Sequence, residues 1–179
     1  MKKSKNDEKG FTLIEVIVTL ILVGITAALA VMWIVSEANG YIFAKTNAST
    51  VQKAQLAMTR LAKEFTDLRS VTASSGTDIT FNRANSPTGS VPVIIFRSGT
   101  QLQINVNGAG AQTLTDNVNT FSLSYCTNAT GTNPCGATTN ACSATWTPAT
   151  SRTVRIDLSL TGADNNNTTF TQCVTPRNS

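Results

Sequence analysis

Hydrophobic and polar positions divide the 179-residue chain into three regimes. Residues 16–35, VIVTLILVGITAALAVMWIV, carry no charged side chain. At about 1.5 Å per residue such a run forms a helix roughly 30 Å long, enough to cross the hydrocarbon of a bilayer. Residues 50–71 instead place Val51, Ala54, Met58, Leu61, Phe65 and Leu68 at alternating steps of three and four, one apolar stripe of an amphipathic helix. Near its polar side, Arg60 with Glu64 and Lys63 with Asp67 are spaced for i,i+4 pairs, each worth about 0.2–0.5 kcal/mol. So small a gain leaves the helix in need of a surface to cover. The stretch is short for a coiled coil, and the strands downstream offer a sheet. Gly24 and Asn39-Gly40 are poor helix formers, and a bend or loosened turn is expected at each.

The third regime has the period of strands. VPVIIFR (91–97) and QLQINV (101–106) flank Ser98-Gly99-Thr100 and read as a hairpin. FSLSYC alternates at Phe121, Leu123 and Tyr125, RTVRIDLSL at Val154, Ile156, Leu158 and Leu160, and TTFTQCV supplies a last strand. A meander of 118–126, 152–161 and 168–175 is expected. Residues 127–151 between the first two of these strands are turn-rich and long for a plain connection. The fold class is therefore α+β: a long N-terminal helix, apolar in its first half and amphipathic in its second, packed on an antiparallel β-sheet.

Charged residues make up 13% of the chain, and its second half is crowded with Thr, Asn, Ser and Gly, a composition suited to a β domain outside the cytoplasm. Of the formal +4, the first ten residues supply +2, four lysines against Asp7 and Glu8. The remaining +2 is no nucleic-acid footprint, and 127–151 contains no Lys or Arg. The chain has no histidine, which removes Ser-His-Asp and Cys-His catalysis and the imidazole-dependent zinc motifs. No catalytic constellation and no cofactor motif is found, and the chain reads as a non-enzyme. Asp164-Asn-Asn-Asn reads as a turn rather than a calcium or other metal site. The sequons at Asn47, Asn128 and Asn167 read as chance matches in an Asn/Thr-rich chain.

Cys126, Cys135, Cys142 and Cys173 are an even set without C-x-x-C spacing, and disulfides in an oxidising compartment fit them better than metal or redox chemistry. In the expected meander one strand separates Cys126 from Cys173, and two strand spacings of about 4.8 Å exceed a disulfide's reach. The preferred pairing is Cys126 with Cys135 and Cys142 with Cys173; Cys126 with Cys142 and Cys135 with Cys173 comes next.

The leader places Lys2, Lys3, Lys5 and Lys9 before the apolar run, so the positive-inside rule keeps it cytoplasmic and sends the rest across the membrane. No A-x-A cleavage site comes after the run, as it would in a secretory signal peptide. Glu15 is the anomaly, since an unpaired carboxylate at membrane depth costs about 2.5–3.5 kcal/mol on insertion scales. It needs a positive partner.

The basic leader ending in Gly10, followed by FTLIEVIVTLILVGI, resembles the cleavage and methylation signature of type IV pilins and type II secretion pseudopilins. The resemblance implies a pilin-like fold, cleavage between Gly10 and Phe11 by a prepilin peptidase on the cytoplasmic face, and N-methylation of Phe11. The new α-amine then sits at a helix N-terminus about 6 Å along the axis from Glu15. Pairing of Glu15 with the amine of the next subunit would satisfy both charges and set axial register. The parts expected are a leader (1–10), an apolar membrane and filament-core helix (11–36), an amphipathic helix (37–71), and a β domain (72–179) with the disulfide-rich loop 127–151.

KAQLAMTRLAKEFTDLRSV, LTDNVNTFSLSYC, TVRIDLSLTG and the closing CVTPRN are similar to the layout of J-type minor pseudopilins and PilW-type minor pilins. That implies a minor structural subunit that initiates or caps a type IV pilus or a type II secretion pseudopilus. Its partners would be other pilins or pseudopilins, the prepilin peptidase/N-methyltransferase, and the inner membrane before assembly. Its place would be single-pass in the inner membrane with a periplasmic C-terminal domain, then in the filament. A filament-displayed binding module, an adhesin or DNA-uptake subunit acting through 127–151, is the alternative.

Overall fold

The computed structural model describes residues 12–83, 91–127 and 142–177. The chain divides into two compact units, Met1–Ala44 and Lys45–Ser179. One helix, α1 (Leu13–Thr66), contributes to both.

In the first unit every described side chain is exposed, Leu13 to 82% and Trp33 to 74%. This part of α1 is long and apolar enough to cross a membrane, with a mean hydropathy of 2.6 over its best window. Both threonine hydroxyls of the apolar run are met within the helix, Thr19 donating to the Val16 carbonyl at 2.9 Å and Thr26 to that of Leu22 at 3.0 Å. Neither threonine then presents an unmet hydroxyl to hydrocarbon. The helix runs through Gly24 and Asn39-Gly40 without the loosened turn expected there. A mid-helix glycine costs about 1 kcal/mol, which cooperative bonding by its neighbours overcomes.

In the second unit α1 continues from Lys45, and two antiparallel sheets come after it where one was expected. The first holds β1 (Leu68–Ser74), β2 (Asp78–Arg83), β3 (Pro92–Ser98), β4 (Gln101–Val106) and β5 (Ala111–Thr115) in chain order. The second holds β6 (Val118–Thr127), β7 (Cys142–Ser143), β8 (Ser151–Thr161) and β9 (Asn167–Val174) in the order β7-β6-β8-β9. The split arises at the corner Asp116-Asn117, where Asn117 takes φ 55° and turns β6 off the first ladder. The sheets remain stitched by Val118 N–H to the Thr100 carbonyl at 2.9 Å and Leu123 N–H to that of Gly76 at 2.8 Å.

The expected meander appears as β6, β8 and β9, and the expected hairpin as β3 and β4. Gly99, at φ +60°, is the first of the hairpin's two central residues, the place where a type II′ turn requires glycine. Asp164 and Asn165, at φ 54° and 57°, form the tight turn between β8 and β9, closed by Asn166 N–H on the Ala163 carbonyl at 3.0 Å. The oxygen-rich stretch is thus a hairpin turn of primed type.

The second half of α1 buries Ala54, Ala57, Met58, Leu61 and Phe65 in a core shared with both sheets. Phe65 meets Phe81 of β2 with ring centroids 5.6 Å apart. Across the core Tyr125 packs edge-on to Trp146 at 5.8 Å and donates to the Ser75 carbonyl at 3.2 Å. Burial, with Asp78 nearby, pushes its phenol well above the ordinary tyrosine range.

Three details correct the helical reading. The helix ends at Thr66, not near Val71: Leu68 is buried as the first residue of β1, so the apolar stripe continues through a change of backbone. The Thr66 carbonyl there accepts from Arg177 N–H at 3.1 Å. Val51, on the expected stripe, is 37% exposed, whereas Thr50 and Ala57 are buried. Lys63 and Asp67 make no ion pair with each other, and Glu64 lies inside at 3% exposure.

Glu64 is held from two sides. Arg60 Nη2 reaches one carboxylate oxygen at 2.9 Å, and Arg83 at the end of β2 donates from Nε to the other at 2.6 Å. Truncating the buried member of such a cluster strands its partners and typically costs about 3–5 kcal/mol, whereas an exposed pair is worth under about 1 kcal/mol. Urea unfolding of the full chain in detergent should therefore give a much larger loss for Glu64→Ala than for Arg60→Ala, whose side chain is 45% exposed. Equal losses would mean that the cluster does not pin α1 to β2.

Candidate functional site

The processing signature begins in residues outside those described: Gly10 and Phe11 are among them. The described residues begin at Thr12. Thr12 starts the first turn of α1, its carbonyl accepting from Glu15 N–H at 3.1 Å and Val16 N–H at 3.3 Å. Glu15 stands in that first turn, where the helix dipole favours an anion. It is exposed and has no ion-pair partner among the described residues. On a helix whose neighbouring positions are Ile14, Val16 and Ile17, it is a charge with nothing inside this chain's described part to neutralise it.

The cysteines come together differently from the preferred pairing. Cys126 bonds Cys142, not Cys135. The reason is β7, a two-residue strand on the free side of β6 that sets Cys142 directly opposite Cys126 with 4.0 Å between their Cα atoms. Nothing in the composition of 127–151 marks Cys142 as a strand residue. This bond belongs to the second of the two pairings, in which β6 and β9 are correctly kept from bonding each other across β8. Cys173 on β9 is also disulfide-bonded, and Cys135 lies outside the described residues. Most of 127–151, including the Asn128 sequon, lies outside them as well. Its described end is tied down, Trp146 N–H donating to Ser74 Oγ at 2.8 Å.

Some placements carry no sequence signal. Asn47 Oδ1 accepts from Ala163 N–H at 3.1 Å, so that sequon's amide clamps α1 to the β8–β9 turn. Asn167 Oδ1 accepts from Thr161 Oγ1 at 2.9 Å. Lys53 reaches Asp116 at 2.7 Å, and its hydrogen bond holds that half-exposed carboxyl below the usual range. On the outer face of β8, Arg155 and Asp157 pair at 2.9 Å. Among the described residues no group of three or more acidic, cysteine or histidine side chains is placed to hold a metal.

The basic leader, the carboxylate in the first helical turn and the membrane-length apolar helix coincide in one known motif. The family model described as the prokaryotic N-terminal methylation motif matches residues 5–31. The match spans Gly10, Phe11 and Glu15 together with most of the apolar run. The chain carries the signature of type IV pilins and pseudopilins, on an α+β architecture of pilin type. Among curated proteins none matches this chain.

The Cys126–Cys142 bond closes a loop with a sequence separation of 16. Chain-entropy reasoning assigns a loop of that size about 3 kcal/mol. The Cys126→Ser, Cys142→Ser double variant should lose about that much in urea unfolding, and peptide mapping of unreduced protein should recover the two cysteines in one linked fragment. Recovery of Cys126 linked to Cys135 would contradict the pairing.

Proposed function

We propose that this chain is a minor pilin-like subunit, cleaved between Gly10 and Phe11 by a prepilin peptidase, N-methylated on Phe11, and built into a type IV pilus or a type II secretion pseudopilus, where it helps initiate or cap assembly. The observation that carries the reading is the methylation motif at 5–31 lying on a helix with a single carboxylate, Glu15, in its first turn and no counter-charge for it among the described residues. The minor and capping role rests on the looser similarity of the second half of α1 and the strand segments to J-type and PilW-type subunits.

Before assembly the chain sits once across the inner membrane, basic leader in the cytoplasm and β domain in the periplasm. The Cys126–Cys142 disulfide supports that side for the domain, because such bonds persist in oxidising compartments. Its parts are then the leader 1–10, the helix from 11 that anchors and later lines the filament core, and the β domain.

Glu15 is the docking charge. In lipid it is costly, and the α-amine that cleavage creates on a neighbouring subunit is a cation at matching depth. A buried pair need not add stability over an apolar substitute; what it adds is register, since only one axial stagger joins the two charges.

Two measurements test this. Intact mass of the mature chain should begin at a methylated Phe11 in cells with an active prepilin peptidase; a chain starting at Met1 sinks the processing reading. A Glu15→Leu variant should insert and be cleaved as the parent is, yet fail to co-purify with the other subunits. Undiminished co-purification would defeat the docking role while leaving the processing intact.

A further inference from the structure

Among the described residues of the first unit two carry charge, Glu15 and Glu37, and both are acids. Each is exposed, and neither makes an ion pair among the described residues. Glu37 stands 22 residues after Glu15 on an unbroken helix. That spacing is about six full turns, so the two carboxylates leave the helix about 40° apart around its axis and about 33 Å apart along it. They share one face.

The apolar surface does not stop where the bilayer does. Residues 16–35 fill a hydrocarbon core of about 30 Å, yet Tyr41, Ile42 and Phe43 are exposed as well, Tyr41 to 69%. They lie about 9–12 Å beyond Val35 along the axis. Glu37 stands between the membrane span and this extra apolar turn, on a stretch that lipid tails do not cover. Beside it Met32, Trp33, Ser36 and Glu37 frame a shallow hollow of about 300 Å³. Trp33 and Glu37 are four residues apart, so a side chain entering the hollow meets an indole and a carboxylate together, surroundings that suit a cation.

We propose that Glu37 is a second docking charge, one that selects a different subunit: a parallel helix that brings a Lys or Arg about 22 residues after its own first residue. The inference rests on the Glu15 reading, which supplies the axial seat. A neighbour whose α-amine lies at Glu15 has the residue 22 positions later level with Glu37, and the same offset around the axis applies to both helices, so one neighbour meets both carboxylates. In this chain the residue in that place, 22 after Phe11, is Trp33, and the first base after Phe11, Lys45, comes twelve residues later still. A second copy in that seat therefore satisfies Glu15 and sets an indole against Glu37. A carboxylate taken out of water without a counter-charge disfavours that pairing, so the first charge sets stagger and the second sets the partner.

The test uses the full chain in its native host, with a benzophenone amino acid replacing Tyr41, one turn beyond Glu37 on the same face. Irradiation should give an adduct with a different subunit whose mature chain carries Lys or Arg about 22 residues after its first residue. Glu37→Lys should cut the adduct about tenfold, exchanging the partner's base for Glu should do the same, and the two changes together should restore at least about half of the yield. Cleavage after Gly10, read by intact mass in each variant, shows that it has inserted. No adduct with a protein, an adduct only with a second copy of this chain, a partner without a base in that place, a yield indifferent to Glu37→Lys, or no recovery in the double exchange would each overturn the proposal. Glu15→Leu is scored alongside: loss there with indifference at Glu37 overturns the second contact and leaves the first standing, whereas a yield untouched by Glu15→Leu defeats the register on which both rest.

Discussion

The packing of Ala54, Ala57, Leu61 and Phe65 against the strands is the contact on which the second unit depends. Neither sheet alone closes a core. The inner faces of β2, β3 and β4 and those of β6 and β8 share one core with the same stretch of helix. Asn47 at one end of that stretch, Lys53 within it, and Thr66 at the other each bond a different loop or terminus, so the helix is located along its axis as well as across it. Apolar burial supplies most of the free energy and is non-directional; the polar bonds select one seating among those that would bury similar area.

The same helix carries two carboxylates whose surroundings are opposite. Glu64 is buried and held by two arginines of its own chain. Glu15 is exposed on an apolar surface and has no partner among the described residues. Charge inside a low-dielectric region is retained only where a counter-charge is supplied, and for Glu64 the fold supplies it. For Glu15 the described fold does not, so any compensation comes from outside the described residues. The two residues differ in kind: Glu64 belongs to how this chain folds, and Glu15, on the proposed reading, to how it meets a neighbour.

Much of this was legible in the sequence, and what was missed has physical causes. The apolar run, the stripe through Leu61 and Phe65, the Gly99 hairpin and the β6–β8–β9 meander derive from periods of 3.6 and 2 that burial imposes directly. Periodicity does not record backbone type at an element's end. Leu68 satisfies the helical stripe and is buried, yet it begins a strand. It does not reveal a buried charge either, since Glu64 reads as surface until Arg83 arrives from β2. β1 and β2 are short and carry few apolar residues, so their sheet becomes visible only through their pairing. The Cys126–Cys142 bond depends on a two-residue strand that no local pattern announces. At the processing signature the case reverses: Gly10, Phe11 and Glu15 are read from residue type and order, and the fold adds only the setting of Glu15.

A composition rich in Thr and Asn and poor in charge bears on the second unit in one more way. Lys and Glu on exposed strands ordinarily keep sheet edges apart, and this chain has few to place there. Its other edges are protected by geometry instead, through bulges in β1, a register shift at β5 and the brevity of β7. Geometric guarding of this kind gives up ladder hydrogen bonds where the register shifts. Leaving β9 long, regular and neutral keeps its full ladder with β8 and holds the carboxyl-terminal segment beside α1, where Arg177 N–H reaches the last helical carbonyl.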